Sequence, residues 1–365
     1  MKSQTIIISR RHLMSDVVEK QTAKSFIMNV LNGLALGTVI VLIPGAILGE
    51  LMKALLPMWS GFATLIAATA VATSMMGLVI GIMVGLNFKF NPIQSASLGL
   101  AVMFAGGAAT FLKGAIMLKG TGDIINMGIT AALGVLLIQF LSDKTKSFTL
   151  IVIPTVTLLL VGGVGHVLLP YVKMITTMIG QGIASLLGLQ PVLMSILIAM
   201  IFCFLIVSPI TTVGIALAIS LSGIGSGAAN LGICAASFGL CMAGWSVNSK
   251  GTALAHVLGS PKISMANVLA KPKIMLPMIS SAAILGILGA LFNIQGTPAS
   301  AGFGISGLIG PINALNLAKG GWSVMNMLLI IIIFVAAPII LNFIFNYLFI
   351  KVLKIIDPMD YKLDI

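Results

Sequence analysis

From Trp322 to Ile350 the chain runs 29 residues without a single charged side chain. About 20 apolar residues suffice for a helix to cross a bilayer, so water is not the solvent such a segment is built for. Comparable runs lie near 26–49, 62–86, 94–112, 124–141, 148–170, 191–208, 210–229, 230–247 and 274–292. In hydrocarbon a backbone must satisfy its own hydrogen bonds, which leaves helices or closed barrels. Barrel strands would appear as segments of roughly ten residues with alternating polarity, and no such segments occur. Only 8% of the 365 residues are charged, against roughly a quarter in soluble domains. The chain is therefore expected to be an all-α polytopic membrane protein with about ten transmembrane helices and no strands. Segment 174–188 is short and carries Gln181, so it is placed on the outer surface; 303–315 is too short to cross and is read as re-entrant.

Charge sets the orientation. Placing the N-terminus in the cytoplasm leaves Lys53, Lys113, Lys119, Lys173 and Lys319 outside and the remaining fifteen Lys and Arg inside, as the positive-inside rule requires. Both termini are then cytoplasmic. Residues 1–25 read as a cytoplasmic or interfacial segment, with Ile7, Met14, Val17 and Val18 on one apolar face; 26–350 form the transmembrane domain, and 351–365 a cytoplasmic tail. The net charge of +12 comes from lysines scattered between apolar runs. That pattern fits lipid headgroups rather than nucleic acid, and Lys271 and Lys273 are assigned to such headgroups.

Two stretches resemble each other: FNPIQSASLGLAVMFAGGAA (90–109) and VSPITTVGIALAISLSGIGSGAA (207–229). Each opens on a polar residue and Pro-Ile, and each ends in glycines before Ala-Ala. Interrupted spans at matching positions point to a transporter's binding site. Two readings stay open: an internal repeat, or coincidence in a chain rich in Gly, Ala, Ile and Leu.

Ionisable groups are scarce enough to treat one by one. Glu50 precedes Lys53 at a spacing that suits a helix-surface pair. Asp123 precedes an apolar run and reads as an N-cap. Cys203, Cys234 and Cys241 sit in apolar runs and read as small core residues. His166 reads as an interfacial anchor or a gate residue, the anchor being favoured. No phosphate-binding loop, dinucleotide fingerprint or metal-ligand spacing is present, so no cofactor is expected. The exception to the oily pattern is AGWSVNSKGTALAHVLGSPKISMANVLAKPKI, Ala243 to Ile274. Asn248, Lys250, Thr252 and His256 are its candidate solute ligands, with Asn267 as a further hydrogen-bonding group. Gly304, Ser306 and Gly307 supply a re-entrant partner.

The runs NSKGTALAH (248–256), SPKISMANV (260–268) and GFGISGLIG (302–310) carry a resemblance that extends over about residues 25–350. They resemble the sugar-permease subunit IIC of the bacterial phosphotransferase system, in the branch that includes perfringolysin O regulator-like membrane proteins. The resemblance implies a homodimer in the bacterial cell membrane that binds a sugar. A separate IIB protein then phosphorylates the sugar on the cytoplasmic side. Glucose-type members bind sugar with a Glu in a membrane-embedded loop and a His. Here Glu50 is the last glutamate, so a Lys-His site lacks that carboxylate and suits an anion better than a neutral sugar. Two rival functions remain on the same architecture: an uncoupled secondary transporter of a small anion or metabolite, and a membrane sensor or regulator.

Overall fold

A computed structural model describes residues 22–112, 114–145 and 148–363, apart from the side chains at 46, 47, 50, 54 and 143. The N-terminal segment with His12, and the Glu50 side chain expected beside Lys53, lie outside the described residues.

The all-α polytopic class is borne out. Among the described residues, six helices are long and apolar enough to cross a membrane. Four of them are α1 (Ala23–Leu55), α5 (Ile124–Thr145), α6 (Thr149–Gly188) and α9 (Gly223–Ala243). The other two are α12 (Pro272–Leu291) and α14 (Val324–Val352). A bent pair, α2 (Phe62–Ser74) and α3 (Met76–Asn87), meets at 51° and makes a seventh crossing if taken as one span. Helices α4 (Pro92–Ala105) and α7 (Pro191–Leu205) are apolar but have only 14 and 15 residues.

The expected count of about ten is corrected at one place above all. The apolar run 210–229 does not cross: it makes the seven-residue α8 (Thr212–Ala218), unwinds, and its last residues begin α9. Ser220 and Gly223 take positive φ there. Hydropathy is the same whether such a run crosses or folds back, so sequence alone does not separate the two. The expected surface segment 174–188 is the far end of α6, which is continuous for 40 residues. At about 1.5 Å per residue that is roughly 60 Å, twice the hydrocarbon thickness. Pro170 removes one hydrogen bond from α6 without breaking it. In α14 wider turns at Ile332–Ala336 precede Pro338, whose missing N–H leaves the carbonyl of Phe334 without its usual partner.

One strand pair contradicts the expectation of none. Strands β1 (Ala109–Leu112) and β2 (Ala115–Leu118) form an antiparallel hairpin. Its turn uses Gly114 at φ 79. The two Pro-Ile stretches also differ in form. Pro92 sits in the first turn of α4 behind an Asn91–Gln94 capping box. Pro209 precedes only the short α8.

Two large buried cores result among the described residues, beside a smaller cluster at the C-terminal tail. The first joins α1, α3, α4 and α5 through Leu34, Ile80, Val84, Leu98, Met127 and Ile138. The second joins α7, α9, α12 and α14 through Ile198, Phe202, Leu231, Met278, Leu285 and Phe334. Hydrophobicity does not drive helices together in lipid, so small residues that let backbones approach do that work. Gly77, Gly81 and Gly85 line the face of α3 against α4; a Cβ on Gly81 would meet the Gly99 Cα at 2.6 Å. Asp123 caps α5 as expected, its Oδ1 accepting from the Asn126 amide at 2.8 Å. All three cysteines are buried and free.

Candidate solute site

Three interrupted stretches meet where the two cores face each other: 206–222, 259–264 and 302–310. Cross-links between distant residues hold them. Thr212 donates its hydroxyl to the Gly302 carbonyl at 3.1 Å. Ser306 donates to the Gly259 carbonyl at 2.7 Å. The Gly304 amide donates to Asn230 Oδ1 at 3.0 Å. Gly304 and Gly307 both sit at φ 60, a conformation a side chain resists.

A further link is a lysine. Ser260 and Pro261 start a tight turn, Pro261–Ser264, and the Lys262 side chain runs inward from it. Lys262 is 3% exposed. Its Nζ donates to the Ser208 carbonyl at 2.6 Å and the Ile210 carbonyl at 2.8 Å. These belong to the unwound stretch after α7, where a broken helix leaves carbonyls in need of donors. Burial pushes the Lys262 ammonium down from the ordinary lysine value to about 7. In the positive-inside count Lys262 was one of the fifteen inner-face charges. The structure removes it from that surface.

These stretches and helices α1 and α2 enclose a cavity of about 420 Å³, within the range of small-molecule sites. Its polar lining comprises Thr69 and Thr73 of α2, Thr121, Thr211, Thr212, Ser260, Ser306, Lys53 and Lys262. The apolar lining includes Leu42, Ile66, Met76, Ile206 and Phe303.

Of the residues singled out from sequence, Ser306 lines this cavity, and Gly304 and Gly307 shape the loop that presents it. His256 is 1% exposed and stands behind it. Its Nδ1 lies 2.9 Å from the Ala253 carbonyl, which only accepts, so Nδ1 carries the proton. Nε2, 2.7 Å from Ser264 Oγ, then accepts from that hydroxyl. His256 thus ties α10 (Lys250–Leu258) to the turn that carries Lys262. Burial lowers its imidazole to about 4, although the Ala253 carbonyl works the other way. A base whose folded pKa is lowered costs stability as it charges. The contribution is complete above about 6.5 and is lost as pH falls toward 4. The melting temperature is expected to drop over that interval, and His256→Gln is expected to flatten the drop.

Asn248 and Asn267 face elsewhere. Asn248 donates to the Gly244 and Tyr361 carbonyls at 3.0 and 2.9 Å and accepts from the Leu363 amide at 2.8 Å. Asn267 donates to the Asp360 and Lys362 carbonyls at 3.1 and 2.6 Å. Both hold the C-terminal tail. Lys271 pairs with Asp360, and Lys273 lies 3.6 Å from the same carboxylate. These two lysines, assigned from sequence to lipid headgroups, therefore bind the tail. Leu363 of the tail packs against Val39 of α1 and Ile263 beside the cavity. Lys250 is exposed on α10, and Thr252 closes a local turn with Ser249 at 2.9 Å. Neither reaches the cavity lining. Asn248→Ala is expected to cost about 1–3 kcal/mol through the tail groups it leaves unpaired, read as a lower melting temperature and faster proteolysis of the tail.

With the fold and cavity described, the family can be stated. The family model for phosphotransferase system EIIC matches residues 28–363. The chain belongs to the phosphotransferase-system EIIC family. It is a multi-pass membrane permease of that system, and the motif runs that carried the resemblance all lie inside the matched region. No match to the chain was found among curated proteins. Two of those EIIC motif runs bracket the cavity. SPKISMANV supplies Ser260 and Lys262, and GFGISGLIG supplies Gly302, Phe303, Ser306 and Ile309. The site lysine was thus inside a recognised motif, and its signal was a lysine flanked by Pro261 and the apolar Ile263 and Met265. The α2 threonines had no such signal, since Thr69 and Thr73 sit in an ordinary apolar run.

Proposed function

We propose that this EIIC permease binds a sugar or a related small polar solute in the cavity around Lys262 and carries it into the cell. A separate cytoplasmic IIB protein phosphorylates the solute. The observation that carries this reading is the cavity itself. It lies between two separately packed cores, is bounded by interrupted helices, and is lined by hydroxyls and one buried ammonium. A solute bound there is exposed to one side or the other as the cores shift relative to each other. Ser306 touches the solute, Gly304 and Gly307 hold its loop, and His256 positions Lys262. Asn248 and Asn267 act at one remove by holding the tail. The working unit is a homodimer in the bacterial cell membrane with both termini in the cytoplasm.

Membrane vesicles supplied with phosphoenolpyruvate and a cytoplasmic extract are the test. They are expected to accumulate phosphorylated solute, and Lys262→Met vesicles are not. Uptake that proceeds at full rate without any phosphoryl donor would favour the uncoupled transporter, the reading supported by a cationic lining with no described carboxylate.

A further inference from the structure

The cavity has a distinct charge pattern. Among the described residues, Lys53 and Lys262 are its charged lining residues, and no described Asp or Glu lines it. Lys262 has no ion-pair partner among the described residues. An ammonium offers three donors, and two of these are taken by the Ser208 and Ile210 carbonyls. One N–H is left for an occupant. Carbonyl dipoles solvate a buried charge but do not cancel it, and an uncancelled buried charge is costly. Burial leaves Lys262 only partly protonated near neutral pH, and an anion in the cavity holds the proton on and cancels the charge.

The hydroxyls have a complementary pattern. Thr69 donates to the Ile66 carbonyl at 2.8 Å and Thr73 to the Thr69 carbonyl at 2.9 Å. Thr121 donates to the Gly122 carbonyl at 3.2 Å. Thr212 and Ser306 give their protons to Gly302 and Gly259. A hydroxyl whose proton is committed keeps its lone pairs and presents an acceptor. The lining therefore offers several acceptors, the Thr211 and Ser260 hydroxyls, and Lys262 as its buried cationic donor. A neutral sugar satisfies the acceptors but leaves the charge of Lys262 uncancelled. A bare inorganic anion does the reverse.

We infer that the solute is a small polyhydroxylated carboxylate, a sugar acid, whose carboxylate meets Lys262 and whose hydroxyls donate to the threonine and serine oxygens. This rests on the cavity being the solute site.

The test compares binding of D-gluconate and D-glucuronate with D-glucitol, D-glucose and inorganic phosphate. It uses the purified full chain at constant ionic strength, read by thermal shift and calorimetry. The acids are expected to bind about tenfold or more tightly than the neutral compounds or phosphate, the worth of one charged hydrogen bond. Lys262→Gln is expected to bring the ratio of acid to neutral affinity near one. Thr69→Val is expected to weaken the acids while keeping the ratio, and it tests the site even if Lys262→Gln fails to fold. Neutral sugars or phosphate binding as tightly as the acids, or no compound binding at all, would overturn the sugar-acid class. If neutral sugars bind tightly and Thr69→Val removes that binding, the cavity stands and only the class falls. Acid binding untouched by both variants would overturn the cavity as well.

Discussion

Lys262→Met is expected to weaken solute binding by about 10- to 100-fold and to bring uptake to background, with the protein still folded. The fold-change follows from losing one charged hydrogen bond, about 1.5–3 kcal/mol. Folding should survive because two effects oppose each other. The Ser208 and Ile210 carbonyls lose their donor, which costs about 1–3 kcal/mol for a buried group. Against that, the fold no longer buries an ammonium with no acidic partner among the described residues, and replacing a buried charge by an apolar group of similar size is often close to neutral. Lys262→Arg should not restore transport. A planar five-donor fork is a poor substitute for a compact ammonium in a site only 3% exposed. Uptake and size-exclusion profiles measured on the same preparations separate lost binding from lost fold.

Gly232→Leu is expected to prevent folding outright. A Cβ at Gly232 in α9 would lie 2.0 Å from the Ala199 carbonyl oxygen of α7. That neighbour is backbone, so no side chain can rotate away, and the two helices at the centre of the second core must separate. Overpacking typically costs about 1–3 kcal/mol where side chains can adjust, and here the obstacle is the helix itself. Gly182→Ala is the internal control. Nothing lies within 4 Å of that Cβ, and replacing glycine by alanine within a helix gains about 0.5–1 kcal/mol. The pair predicts aggregated Gly232→Leu and a Gly182→Ala protein that melts at or slightly above the parent, both read by fluorescence-detected size exclusion.

Much of the fold was legible because the solvent itself is written into the sequence. Eight per cent charge and the 29-residue run ending at Ile350 leave only membrane helices, and the Asp123 cap followed from local spacing. What escaped depends on distance along the chain. Asn248 meets Tyr361 across 113 residues, and nothing in DPMDYKL announces that contact. Lys262 escaped for a different reason. Counting lysines by side of the membrane assumes every lysine is at a surface, and this one is held inside by two carbonyls 52 and 54 residues away. Asn248, Lys250, Thr252 and Asn267 were singled out because polar residues stand out in an oily chain. Two of them turned out to bind the tail, and polarity by itself does not say which partner a group has.

Cysteine protection tests the location of the site most directly. Thr69→Cys places a thiol on the cavity wall, and Leu254→Cys places one on the outer face of α10; the three native cysteines are buried. The cavity account predicts that the compound giving the largest thermal shift slows thiol labelling at Thr69→Cys and leaves labelling at Leu254→Cys unchanged. Protection at Leu254→Cys with none at Thr69→Cys would contradict it and move the solute out of the cavity.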